Sequence, residues 1–171
     1  ELNSREFIDI LIKITGINNI FLDLALDGGG LQQVLNGGLL NVHTDYNTHL
    51  MEKTWRRVLN IIIFLNHNWI DKYNGKLEFW NEKAEKKVKS ISPIFNRCVI
   101  FKTDKKSFHG HPEKLNLPPN MSRKSIAVYY FVKEDKKLKL HPTKFVGRPQ
   151  DSFYCKFLIS FETFANRLLS L

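Results

Sequence analysis

Cysteine is almost absent: Cys98 and Cys155 are the only two in 171 residues. Two thiols cannot staple a domain of this size, and neither sits in a Cys-x-x-Cys pair or beside other metal-type side chains. A disulfide framework and a cysteine metal knot are therefore excluded. Both thiols read as small core residues in a reducing, cytoplasmic setting. Long apolar runs are missing too. The longest, Ile61 to Leu65, is strand-sized, far below the ~20 residues that cross a bilayer, so no membrane association is expected. The chain opens at Glu1 without a basic-then-apolar leader, so it reads as unaddressed for secretion and trimmed at its start. There is no repeat, linker or low-complexity segment. Residues 1–171 read as one domain, and 43% apolar content supplies a core for it.

Acidic residues are in short supply, 17 against 26 Lys and Arg, leaving a net charge of +9. The excess falls in three lysine groups: Lys83, Lys86, Lys87 and Lys89; Lys102, Lys105 and Lys106; and Lys133, Lys136, Lys137 and Lys139. Each lies between strand-like segments and reads as a solvated hairpin tip. No nucleic-acid motif accompanies the charge, so a nucleic-acid partner is not expected, whereas a positive field also suits a small acidic ligand.

What is present is mostly β in pattern. Asn3 to Thr15 reads as a helix, with an Asn3–Glu6 capping box, Phe7, Leu11 and Ile14 at helical spacing, and Gly16 to close it. Asp27-Gly28-Gly29-Gly30 is turn material without the strand and Lys-Ser/Thr order of a phosphate loop. Strands are expected at Leu39–His43, Arg57–Leu65, Lys76–Trp80, Arg97–Lys102, Ser107–His109 and Lys124–Val132. Asn74-Gly75 reads as the turn of a hairpin. The tail, Phe153 to Leu169, lines Phe153, Phe157, Phe161, Phe164, Leu168 and Leu169 along one helical face, expected to pack on a sheet. Trp55, Trp69 and Trp80 read as core or rim, and His49, His67 and His141 as exposed loop residues. The fold class is mainly β with flanking helices, a sandwich or jelly roll.

Two His-x-acid pairs occur, His43-Thr44-Asp45 and His111-Pro112-Glu113. At a strand end the period of two puts both side chains of such a pair on one face. Pro112 disfavours a regular strand, so His43 and Asp45 are preferred. A third ligand must come from a distant strand, and His109 suits it, with His111 as rival. Two imidazoles and one carboxylate on one face of a metal are the donor set of non-haem iron(II) oxygenases. A keto-acid co-substrate also needs a buried cation for its far carboxylate. Arg123, at the start of the strand Ile126–Phe131, offers a fork for two oxygens, with Ser125 and Ala127 on the same face.

The order of these elements resembles a known family. His43-Thr44-Asp45-Tyr46-Asn47, Arg56-Arg57-Val58-Leu59-Asn60, Phe64-Leu65-Asn66 with Trp69, and Gly75–Trp80 follow one another. Pro93–Arg97, Ser107–Pro112 and Ser122-Arg123-Lys124-Ser125 complete the series. Together they look like the prolyl 4-hydroxylase-type branch of the 2-oxoglutarate/iron(II) oxygenases, over residues ~25–131. The resemblance implies a double-stranded β-helix with iron on His43, Asp45 and His109. It implies 2-oxoglutarate on Arg123, with Ala127, Asn60, Ile62, Phe64 and Leu77 lining the pocket. Family members often carry a tyrosine where Phe64 stands, so Ser125 or Asn60 is expected to replace its hydroxyl. Dioxygen would be the second co-substrate and ascorbate a reductant. The substrate would be a peptidyl proline, or else a free amino acid or other small metabolite, with Tyr46 and Asn47 near the entrance. Two departures stand out: the loop Glu113–Met121 lengthens the interval from His109 to Arg123, and the chain is short at its N-terminus. Outside the resemblance, a non-catalytic jelly-roll binding module remains the alternative. Oligomeric state is not legible.

Overall fold

The computed structural model describes residues 1–169, with side chains described to Ala165. Its axis is a pair of long strands, β4 (Trp55–Phe64) and β9 (Arg123–Lys133), antiparallel from Trp55 opposite Lys133 to Phe64 opposite Ser125. Both are rich in the β-branched and aromatic residues that fit a pleated, buried surface. β7 (Cys98–Lys102) flanks β4, while β1 (Phe21–Leu22) and β2 (Gly30–Val34) lie end to end along the other side of β9. The second sheet runs β10 (Lys144–Phe145), β3 (Leu40–Thr44), β8 (His109–His111), β5 (Leu77–Trp80), β6 (Lys87–Ile91), all antiparallel. The two five-stranded sheets make the expected jelly roll.

One irregularity in β4 positions the site. The ladder shifts by one residue between Arg57 and Leu59. A β-bulge there inserts an extra residue, so Arg57 joins Asn60, Ile62 and Phe64 on the inward face although it stands three positions before Asn60. The opposite face of β4 and β9 presents Leu59, Ile61, Val128 and Tyr130 to helix α1 (Arg5–Thr15), whose Leu11 is fully buried among them. Ser4 caps that helix, accepting from the Phe7 amide, and Gly16 ends it at φ 70°. The expected cap, Asn3, is one residue too early.

Three further expectations are corrected. Asn74-Gly75 does not close a hairpin with β4, because β5 pairs with β6 and β8 in the other sheet. The dipeptide supplies left-handed backbone (φ 60° and 72°) for a turn between sheets, and such a turn specifies no partner. The tail does form helix α2 (Phe153–Leu169), but Phe153, Phe157, Phe161 and Phe164 are exposed. The helix instead docks through buried Ile159 and through Thr163, which bonds the backbone of Phe145. The side chains of Leu168 and Leu169, on the same expected face, lie outside the described residues. Cys98 stands exposed on the edge strand β7 and Cys155 is half-buried, so neither is a core residue.

Candidate metal centre

His43 lies near the end of β3 and Asp45 just beyond it, while His109 opens the neighbouring strand β8 directly opposite His43. Their rings stand 4.5 Å apart, and one ligand atom from each of the three side chains lies within 4.8 Å of the others. The His43 Nε2 is 3.4 Å from Asp45 Oδ1, and the His109 Nε2 is 3.4 Å from Asp45 Oδ2.

Each ring is held at its other nitrogen. Nδ1 of His43 is 2.8 Å from the Asn41 carbonyl, and Nδ1 of His109 is 2.9 Å from that of Ser107. A carbonyl only accepts, so each Nδ1 carries the proton, and a neutral ring then turns a bare Nε2 lone pair toward the carboxylate. Burial pushes His109 down to about 4, so it is neutral near pH 7. Burial alone would push Asp45 up, but the Arg57 guanidinium holds its carboxyl well below the usual range. Acceptor atoms thus face one another with no donor between them. Such a cluster is repulsive alone and attractive around a cation, so the residues fit a divalent metal. Phe145 and Phe101 pack on His43 and His109 at 5.3 and 4.7 Å and fix the ring planes.

Arg57, which the alternation of β4 hides, backs this cluster. It is 2% exposed and donates to Asp45 Oδ2 (3.2 Å) and Asn60 Oδ1 (2.8 Å). Asn60 Nδ2 donates to the same carboxylate oxygen at 2.6 Å, and Thr103 donates to Asn60 Oδ1 at 3.0 Å. Both polar ends of Asn60 are therefore engaged. The guanidinium carbon lies 4.6 Å from the ring centre of Tyr46 and 3.4 Å from that of Tyr129. Those phenols donate in turn to the carbonyls of Asp27 and Gly28. A Cβ on Gly28, at φ +71°, would meet the Tyr46 hydroxyl at 2.6 Å, so only glycine lets the loop come this close.

A cavity of about 270 Å³ opens onto the three ligand-type residues. Asn60, Ile62, Leu77, Arg123, Ser125 and Ala127 line it, all anticipated, together with His111, the rival third ligand, and with Gln32 and Tyr129, which were not anticipated. Phe64 is fully buried beside the cavity, with the Arg123 guanidinium carbon 5.0 Å over its ring. Arg123 is 5% exposed, and its Nε donates to the Gly75 carbonyl at 2.9 Å. No carboxylate among the described residues forms an ion pair with it, and burial pulls it down to about 10. This is a buried cation without a protein counter-ion.

His49, expected to be exposed, is buried, with Nε2 3.5 and 3.6 Å from Asp23 and Asp27. Its Nδ1 accepts from the amides of Met51 and Glu52, so the proton sits on Nε2, facing the carboxylates. That tautomer leaves no lone pair for a metal.

The buried histidines also predict a pH response of the metal-free protein. His109 and His111 fall to about 4 and about 3 through burial, below the ordinary 6.5. The unfolded chain binds protons that the native state refuses, so stability declines once pH drops below 6.5. Urea unfolding should lose about 1–2 kcal/mol per histidine by pH 5. The slope should be shallower in His109→Asn, and an unchanged slope in that variant would contradict the assignment.

The family model of the 2OG-Fe(II) oxygenase superfamily matches residues 29–131, more than half of the chain, and the chain belongs to that superfamily. Among solved structures, the similar folds include prolyl 4-hydroxylase from Phytophthora capsici, at 18% identity and a TM-score of 0.52 over 99% of this chain and 51% of that one. A prolyl hydroxylase from Trichoplax adhaerens, solved in complex with a hypoxia inducible factor oxygen degradation domain peptide fragment, gives 22% identity and a TM-score of 0.49. That alignment covers 74% of this chain and 53% of the other. The chain thus spans about half the length of these structures. No curated protein matches. Among the described residues, no helix is long and apolar enough to cross a membrane.

Proposed function

We propose that this chain is an iron(II)- and 2-oxoglutarate-dependent dioxygenase that hydroxylates a C–H bond. One observation carries the reading: a carboxylate and imidazole acceptors that want a cation share one cavity with a buried arginine that wants an anion. His43, Asp45 and His109 would hold the metal, leaving positions free for the keto-acid end of 2-oxoglutarate and for dioxygen. Arg123 would hold the far carboxylate, with Ser125 beside it and Ile62, Leu77 and Ala127 excluding water. Bound ferrous iron supplies oxygen activation, coupled to decarboxylation of the keto acid. In balance, substrate C–H, 2-oxoglutarate and O₂ give C–OH, succinate and CO₂. Arg57 and Asn60 keep the Asp45 carboxylate ionised and turned toward the imidazoles.

The substrate we favour is a proline residue in a peptide, by analogy with the prolyl 4-hydroxylase whose fold this chain shares; the analogy is one of fold. Ascorbate is the proposed reductant that restores iron(II) after uncoupled turnover. Anaerobic addition of Fe(II) and 2-oxoglutarate should produce a weak visible charge-transfer band. Admitting oxygen should then yield succinate in slow turnover, accelerated by a proline-containing peptide. A protein that shows neither band nor succinate is a binding module, and a free amino acid that outpaces every peptide redirects the substrate class.

A further inference from the structure

Resting on that reading of the cavity, the structure supports a role for a residue outside the metal and arginine sets. His111 ends β8 two residues after His109, is 4% exposed, and lines the cavity with Arg123. Its Nδ1 is sealed from solvent without a hydrogen-bond partner among the described residues. Here it differs from the two metal-type histidines. Theirs are tied by backbone carbonyls that force the proton onto Nδ1, whereas the Nδ1 of His111 makes no such hydrogen bond. With Nδ1 enclosed, Nε2 is the ring nitrogen left to present an N–H donor to the cavity.

Few polar groups of the cavity remain to pair with an anion beside Arg123. Asn60 is engaged at both ends, and the Ser125 hydroxyl makes only a long 3.4 Å contact to Gln32. Phe64, against the guanidinium, has no donor. A carboxylate has more lone pairs than one arginine fork satisfies, and a buried unpartnered imidazole costs free energy until it finds an acceptor.

We propose that His111 is a co-substrate-binding residue, donating a hydrogen bond to the far carboxylate of the 2-oxo dicarboxylic acid beside Arg123. It then selects for a dicarboxylate over a keto acid lacking that group.

The test is anaerobic calorimetry on the Fe(II)-loaded full chain, titrated with 2-oxoglutarate and with 2-oxobutyrate, which keeps the chelating end and lacks the far carboxylate. In His111→Phe, 2-oxoglutarate should bind about 10-fold more weakly, while 2-oxobutyrate and metal affinity stay unchanged. His111→Asn, which retains a donor, should recover part of the loss. Equal weakening of both keto acids, or of neither, overturns the proposal. So does a collapse of metal affinity, which would make His111 a ligand. If His111→Phe does not fold, Phe64→Tyr decides. Its new hydroxyl should gain less than about twofold for 2-oxoglutarate, because the donor position is already filled. A gain of about 10-fold means it was empty and overturns the proposal. Failure of the wild type to bind either keto acid instead removes the oxygenase reading, and this inference falls with it.

Discussion

Arg123→Met is expected to weaken 2-oxoglutarate binding by at least about 100-fold while making the ligand-free protein slightly more stable. The two effects have one cause. A buried guanidinium without a counter-ion carries an uncompensated desolvation cost, which is why burial depresses its proton affinity. Replacing a buried charge by an apolar side chain of similar length removes that cost, offset in part by loss of the Nε bond to the Gly75 carbonyl. The net gain should be about 1 kcal/mol, read as a higher urea midpoint at unchanged slope. The ligand sees the opposite sign, because its far carboxylate enters the same apolar surroundings with nothing to neutralise it. Binding of 2-oxobutyrate, which has no such group, should not change. Loss of stability together with unchanged 2-oxoglutarate affinity would mean that Arg123 is structural and the anion sits elsewhere.

Residues that obey simple periodicity were legible in the sequence, and residues placed by its interruption were not. His43 and Asp45 sit two apart at a strand end, and Arg123, Ser125 and Ala127 alternate along β9. Period two therefore finds both faces. Arg57 stands an odd number of residues from Asn60, so regular alternation sends it outward, and only the bulge at Val58 returns it to the cavity. A bulge leaves no mark in a run such as Trp55–Phe64. His111 was visible as a rival ligand, but its distinction from His109 lies in which carbonyls meet the ring nitrogens, a tertiary property. The fold shows the same division. The apolar strands were clear from composition, but β1, β2, β6 and β10, short or lysine- and glutamine-bearing, were not; nor was the partner of β5, because Asn74-Gly75 encodes a turn and not the sheet it leads to. In α2 the phenylalanine stripe marks an amphipathic helix, yet the face that docks is set by what β10 offers it.

Arg57→Leu should destabilise the metal-free protein by about 3–5 kcal/mol, the cost of leaving a buried charge without its partner. Asp45 is the charge concerned. Its carboxylate is almost enclosed and lies against imidazole acceptor atoms, and Arg57 leads the groups that hold it ionised against burial. Leucine keeps contact with the rings of Tyr46 and Tyr129 but offers neither charge nor donor, and it also strands Asn60 Oδ1 with Thr103 as its remaining partner. A packing role alone would give a smaller loss, indifferent to residue 45. The two are separated by a double-mutant cycle with Asp45→Asn, which removes the charge and retains the shape. If Arg57 is the counter-ion, the double variant should be more stable than the sum of single losses implies, by about 1.5–3 kcal/mol. Urea unfolding of the four metal-free proteins measures it. Additivity within about 0.5 kcal/mol would reduce Arg57 to a wedge between two tyrosines and leave the ionisation of Asp45 without an explanation.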